Sequence, residues 1–181
     1  FYQGSIAKSI VEFAQRQGGT HTLADFSEFA THYVDPIKAH YRGVDLYQIP
    51  PSGQGLTALV LLNILEDYQT KAMDPLSADR FHLQIEATQL AYSVRDAFVA
   101  DPAFADVPVD RLLSKSFADE LRMKIDMKKA GHAPSQKAST YQRDTIYLTV
   151  ADRFGNMCSF INSLYFSFGT GKVDPNTGIA L

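Results

Sequence analysis

The stretch TIYLTVADRFGNMCSFINSL, residues 145–164, decides how this chain folds. Thr145 to Val150 is β-branched and aromatic, which is the composition of a strand. Asp152-Arg153-Phe154-Gly155-Asn156 has turn chemistry, and Met157 to Leu164 returns as a second strand. The segment therefore reads as a hairpin. Immediately upstream the character is different. Lys128 to Arg143 is polar and holds Gly131, Pro134, Ser135, Ser139 and Thr140, the signature of an exposed linker. A helical region, a linker and then sheet predict an α+β layered fold.

The helical region carries its own signals. Ile6, Ile10, Val11, Phe13 and Ala14 recur at helical spacing, and Gly18-Gly19 stops that helix. Thr22 is placed to cap a short helix with Leu23, Phe26 and Phe29. Ile37–Tyr41 and Val44–Ile49 flank Arg42-Gly43 as two short strands around a tight turn. Pro50 to Gly55 is an irregular loop, and Leu56–Tyr68 is a helix with Leu59, Val60, Leu62 and Leu65 on its apolar face. The longest predicted helix runs from Ser77 to Ala100, with Leu83, Ala87, Leu90, Val94 and Phe98 as the buried stripe. It stops at Asp101-Pro102, because the residue before proline avoids helical backbone. Ser116–Met127 reads as one more helix, and Phe168-Gly169-Thr170-Gly171 as a glycine-rich bend after the hairpin.

Composition excludes several classes. The chain has 181 residues, 45% hydrophobic and 20% charged, enough to bury a core of ordinary size. Its net charge of −3 offers no electrostatic footprint for nucleic acid. No apolar run approaches the ~18–20 residues of a membrane span. The single cysteine, Cys158, excludes an internal disulfide framework and a cysteine-based metal site. The chain opens on Phe1 and closes on an apolar Ile179-Ala180-Leu181, so it reads as a piece of a longer polypeptide, and its compartment is not assigned.

Few residues have the spacing of a reactive group. His21, His32, His40, His82 and His132 form no pair at metal-ligand spacing, so neither metal nor cofactor is expected. Ser52-Gly53-Gln54-Gly55 precedes a helix but lacks the lysine of a phosphate loop. The carboxylates are scattered, and Glu86 reads with them as part of a solvated face. Hydroxyls remain. A threonine is a weak nucleophile unless a base adjoins it, and an N-terminal threonine carries that base as its own α-amine. Thr145 stands where an exposed linker ending in Asp144 meets a strand, so a cut there would create such a terminus. By spacing alone it reads first as an ordinary strand-opening residue and second as a nucleophile.

Several separated motifs change that balance. Tyr41-Arg42-Gly43, then Ile49-Pro50-Pro51-Ser52-Gly53-Gln54-Gly55, Asn63-Ile64-Leu65-Glu66, Glu86-Ala87 with Leu90-Ala91-Tyr92, Asp101-Pro102 and Phe168-Gly169-Thr170-Gly171 follow one another in order. In that order they resemble the γ-glutamyltransferase family of N-terminal nucleophile hydrolases, over essentially the whole chain. The resemblance implies an αββα sandwich made as a precursor that cuts itself before a catalytic threonine. On this sequence the cut falls between Asp144 and Thr145. Residues 1–144 would then belong to the large-subunit region and residues 145–181 would open the small-subunit region, the two remaining paired. It further implies a small-molecule γ-glutamyl substrate, an acyl-enzyme on Thr145, and a supporting hydroxyl at Ser163. Two positions depart from the family. Thr145-Ile146-Tyr147 replaces Thr-Thr-His, and Tyr165 replaces an asparagine that helps hold the glutamate backbone groups. Rival readings are an acylase on a non-glutamyl amide, or a silent relative that keeps the fold as a binding module.

Overall fold

A computed structural model of the chain describes residues 1–131, 146–164 and 168–181. They fall into two compact units, Phe1–His32 with Lys137–Leu181, and Tyr33–Gln136.

The first unit begins with α1 (Ser5–Arg16), which buries Ala7, Ile10, Val11 and Ala14. Ile6 was expected on that face but is 37% exposed, and Ala7 takes its place. The helix ends as its glycines predict. Gly18 adopts a left-handed φ of +84°, and the Gly19 N–H returns to the Ala14 carbonyl at 2.8 Å. Thr22 then caps α2 (Leu23–Ser27) in a capping box, with the Thr22 N–H donating to Asp25 Oδ2 at 2.7 Å. Phe29, expected on this helix, lies beyond its end and stacks on Tyr2 at 5.8 Å.

The second unit holds most of the apolar core. β1 (Ile37–Tyr41) and β2 (Val44–Gln48) pair antiparallel across Arg42-Gly43, both at positive φ, the two-residue turn that matches strand twist. Ile37 faces Gln48 in this register. Ile49, expected in the strand, would therefore meet Pro36, which has no N–H to give, and the ladder stops. α3 (Gly55–Leu65) packs Leu56, Val60 and Ile64 against Leu83, Ala87 and Ala91 of α4 (Ala78–Phe98). Ser77 caps α4, accepting from the Arg80 N–H at 3.3 Å. Leu90 and Phe98, expected within the stripe, are only partly buried at its edge. A short α5 (Val109–Leu112), absent from the sequence reading, and α6 (Lys115–Arg122) close the core with Leu112, Phe117 and Leu121. The cap of α6 is Ser114, and the helix stops at Arg122 rather than Met127. Beyond it Lys124 and Ile125 bond three residues back, to Leu121 and Arg122, which is turn and not α-helix geometry.

The first unit resumes with the hairpin. β3 (Ile146–Ala151) pairs antiparallel with β4 (Met157–Asn162) from Ala151↔Met157 to Ile146↔Asn162. All twelve strand residues are exposed within the described structure. The second strand ends at Asn162 and not at the expected Leu164.

Candidate active site

The hairpin is locked at its turn. The Asp152 carboxylate accepts from the Phe154 N–H at 2.8 Å, the Asn156 N–H at 3.0 Å and the Asn156 side-chain amide at 2.8 Å. These bonds, the side-chain amide foremost, hold the Asp152 carboxyl below the usual carboxylate range. Gly155 takes a φ of +84° that a side chain would disfavour. With the turn fixed, six consecutive pairs carry the register to Ile146↔Asn162 at the open end. Ser163 follows that last pair and is exposed. Thr145, Asp144 and Tyr165 lie outside the described residues, as does the linker from His132 onward.

Along one face of the hairpin runs a polar row. Tyr147 Oη lies 2.8 Å from Ser159 Oγ, and Thr149 is the cross-strand partner of Ser159. Tyr147 is the residue that departs from the family's histidine. Its hydrogen bond was not foreseen, although period-two alternation already puts Tyr147, Thr149 and Ser159 on one face once the turn is placed.

In the second unit, two sequence expectations need correction. Glu86 is not solvated. It is 5% exposed, and its Oε1 accepts the Gly131 N–H at 2.9 Å. The reason lies in the helical period: residue 86 is three places after Leu83 and so falls on the buried stripe. One turn earlier His82 Nε2 bonds the Asp126 carbonyl at 2.9 Å. The expected free linker from Lys128 is thus anchored on α4 as far as Gly131. In the loop before α3, Gln54 Oε1 accepts from Arg95 at 3.2 Å. Arg95 also pairs with Asp96 at 2.6 Å and lies 4.2 Å from the Tyr92 ring. Among the described residues no group of three or more His, Cys, Asp or Glu could hold a metal ion. Nor is any described helix long and apolar enough to cross a membrane.

A family model described as gamma-glutamyltranspeptidase matches residues 1–181. The chain belongs to the gamma-glutamyltranspeptidase family. Among its relatives, the glutathione hydrolase-like YwrD proenzyme of Bacillus subtilis strain 168 is 40% identical over 181 residues, 100% of this chain and 34% of that protein. The acylase ACY 1 proenzyme of Pseudomonas sp. strain V22 is 35% identical over 179 residues, 98% of this chain and 32% of that protein. The crystal structure of cephalosporin acylase from Bacillus halodurans superposes with a TM-score of 0.83 at 38% identity, covering 100% of this chain and 32% of that one. The α+β expectation and the N-terminal nucleophile hydrolase class are therefore correct. The chain spans about a third of the length of the curated relatives it matches. Those relatives are named both as glutathione hydrolase-like and as acylase, so family membership does not choose the acyl group.

Proposed function

We propose that this chain carries the nucleophile of a self-processing threonine amidohydrolase that cleaves or transfers γ-glutamyl groups. The observation that supports it is the pairing of Ile146 with Asn162. These residues adjoin Thr145 and Ser163 in the chain, which supports a reading in which the two hydroxyls work together at the open end of the hairpin. In this reading residues 1–144 end as the large-subunit region and residues 145–181 begin the small one.

The chemistry runs in two stages on one oxygen. Thr145 Oγ attacks the Asp144 carbonyl carbon, the peptide C–N bond breaks, and the nitrogen takes the hydroxyl proton. Asp144 is left as an ester on Thr145, and water hydrolyses it. The freed α-amine, with a pKa near ~8, then serves as general base for the same Oγ. Attack on a γ-glutamyl amide expels the amine, which leaves with the proton held by the α-ammonium. The acyl ester goes to water or to an acceptor amine. Ser163 supports Thr145 Oγ through a hydrogen bond. The substrate is a small γ-glutamyl amide, and no cofactor enters either stage.

A second reading, an acylase on a non-glutamyl amide, draws on Tyr165. A tyrosine offers one hydroxyl on an apolar ring where the family's asparagine offers both a donor and an acceptor. The acylase relatives support it as well. The full-length protein incubated alone and run on a denaturing gel tests the first stage, with two bands expected. Kinetics on γ-glutamyl anilide, glutathione and an acylated β-lactam amine test the second. Turnover of the β-lactam amide alone would select the acylase reading, and a single uncut band would reject both.

A further inference from the structure

Segment 168–181 knits itself into a closed loop. Thr170 N–H donates to the Leu181 carbonyl at 2.6 Å, Leu181 N–H to Lys172 at 3.0 Å, and Asp174 N–H to Ile179 at 2.9 Å. The loop is seated on α1. Asn176 Nδ2 donates to Ser9 Oγ at 3.1 Å, and Lys172 Nζ donates to Gln17 Oε1 at 2.8 Å. Beneath them Asp174 is wholly buried, its carboxylate accepting from Thr177 Oγ1 at 2.7 Å and from the Asn176 N–H at 3.4 Å. Phe13 and Gly18 from the helix side and Thr170 and Lys172 from the loop side line a shared cavity of about 240 Å³.

These partners come from opposite sides of the Asp144–Thr145 bond. We propose that the seat of loop 168–181 on α1 is a non-covalent clasp between the two polypeptides that self-cleavage creates. The inference rests on the self-processing reading above. Before the cut, the intervening chain keeps loop and helix together at high effective concentration. After it, the contact must hold by its own bonds. A buried carboxylate is costly unless its hydrogen bonds are complete. Withdrawing α1 would strip Ser9 from Asn176 and Gln17 from Lys172, so the clasp favours one seating of the loop and disfavours a partial one.

The test uses the full-length protein after prolonged incubation. The double variant Ser9→Ala, Gln17→Ala changes only α1 and leaves the loop's internal bonds intact. Sedimentation over a dilution series, at one fixed sub-denaturing urea concentration, reads the protein concentration at which the subunits separate. Loss of these two hydrogen bonds should raise that concentration by about tenfold. Asp174→Ala, from the loop side, should shift it in the same direction. The double variant on a Thr145→Ala background should remain one species throughout the series. Separation of the cut double variant at the wild-type concentration would overturn the clasp. A wild-type protein that stays uncut would instead overturn the self-processing reading, and the clasp with it.

Discussion

Gly131 is a glycine because of Glu86, and this can be tested through a change of sign. A Cβ built at Gly131 would lie 2.5 Å from Glu86 Oε2 and 3.4 Å from its Cδ. The carboxylate cannot simply retreat, because it is 5% exposed and its other oxygen holds the Gly131 N–H at 2.9 Å. Gly131→Ala therefore forces the carboxylate off that bond. A hydrogen bond to a charged group contributes about 1.5–3 kcal/mol, so a loss of this order is expected. Gly131 has no positive φ, so its backbone accommodates alanine. In a Glu86→Ala background the obstacle is absent, and Gly131→Ala should stabilise by about 0.4–1 kcal/mol through the unfolded chain. The coupling between the two sites is then about 2–4 kcal/mol, beyond the scatter of independent sites. Urea unfolding of the four proteins, followed by circular dichroism, measures it. An equal cost of Gly131→Ala in both backgrounds would refute the contact as the reason for the glycine.

Three further outcomes are expected. Thr145→Ala should abolish both self-cleavage and turnover, and Thr145→Ser should keep some of each; normal subunit bands from the alanine variant would exclude Thr145 as the nucleophile. Ser163→Ala should lower kcat by a few-fold to about tenfold, the worth of one hydrogen bond of ~0.5–1.5 kcal/mol at a reacting atom, with an unchanged unfolding midpoint; an unchanged kcat would exclude Ser163 from the reaction. The Asp174 carboxyl is held below its ordinary value, first by the Thr177 hydroxyl and with help from Ser9. Its folded value thus lies below its unfolded one, so its contribution is complete above the unfolded value and is lost as pH falls through the folded one. The protection of the Asp174 and Gly178 amides, taken as the exchange rate relative to an unstructured amide at the same pH, should fall on acidification below about pH 4, and Asp174→Asn should flatten that dependence. The same acid response in both proteins would assign it to another group.

The elements that local chemistry dictates were legible in the sequence. Ser77 and Thr22 cap the helices they were expected to cap, because a side-chain oxygen there meets an otherwise orphaned N–H. Arg42-Gly43 and Asp152–Asn156 turn where expected, because positive φ and carboxylate-to-backbone bonds are encoded within a few residues. What escaped depends on partners far away in sequence. Glu86 looked solvated because its partner, the Gly131 N–H, is 45 residues on. Asp174 drew no attention, although Asp-Pro-Asn-Thr-Gly is a turn-forming string, because its burial depends on α1. The end of α6 was misplaced for a different reason: Ile125 continues the apolar pattern while the backbone has already tightened into turns. The candidate nucleophile was reached only through the family resemblance, since a threonine opening a strand has no local mark of reactivity.

The register of the hairpin is set by its turn and its ladder. A one-residue slip in register would move every side chain of β3 to the opposite face. Six pairs at ~3.4 Å each carry the geometry of the Asp152 turn about 20 Å to the open end. The pairing of Ile146 with Asn162 is therefore aligned by a carboxylate that touches neither. The Tyr147–Ser159 bond crosses the two strands between turn and open end and resists the same slip. One fold can underlie relatives named for glutathione and relatives named as acylases.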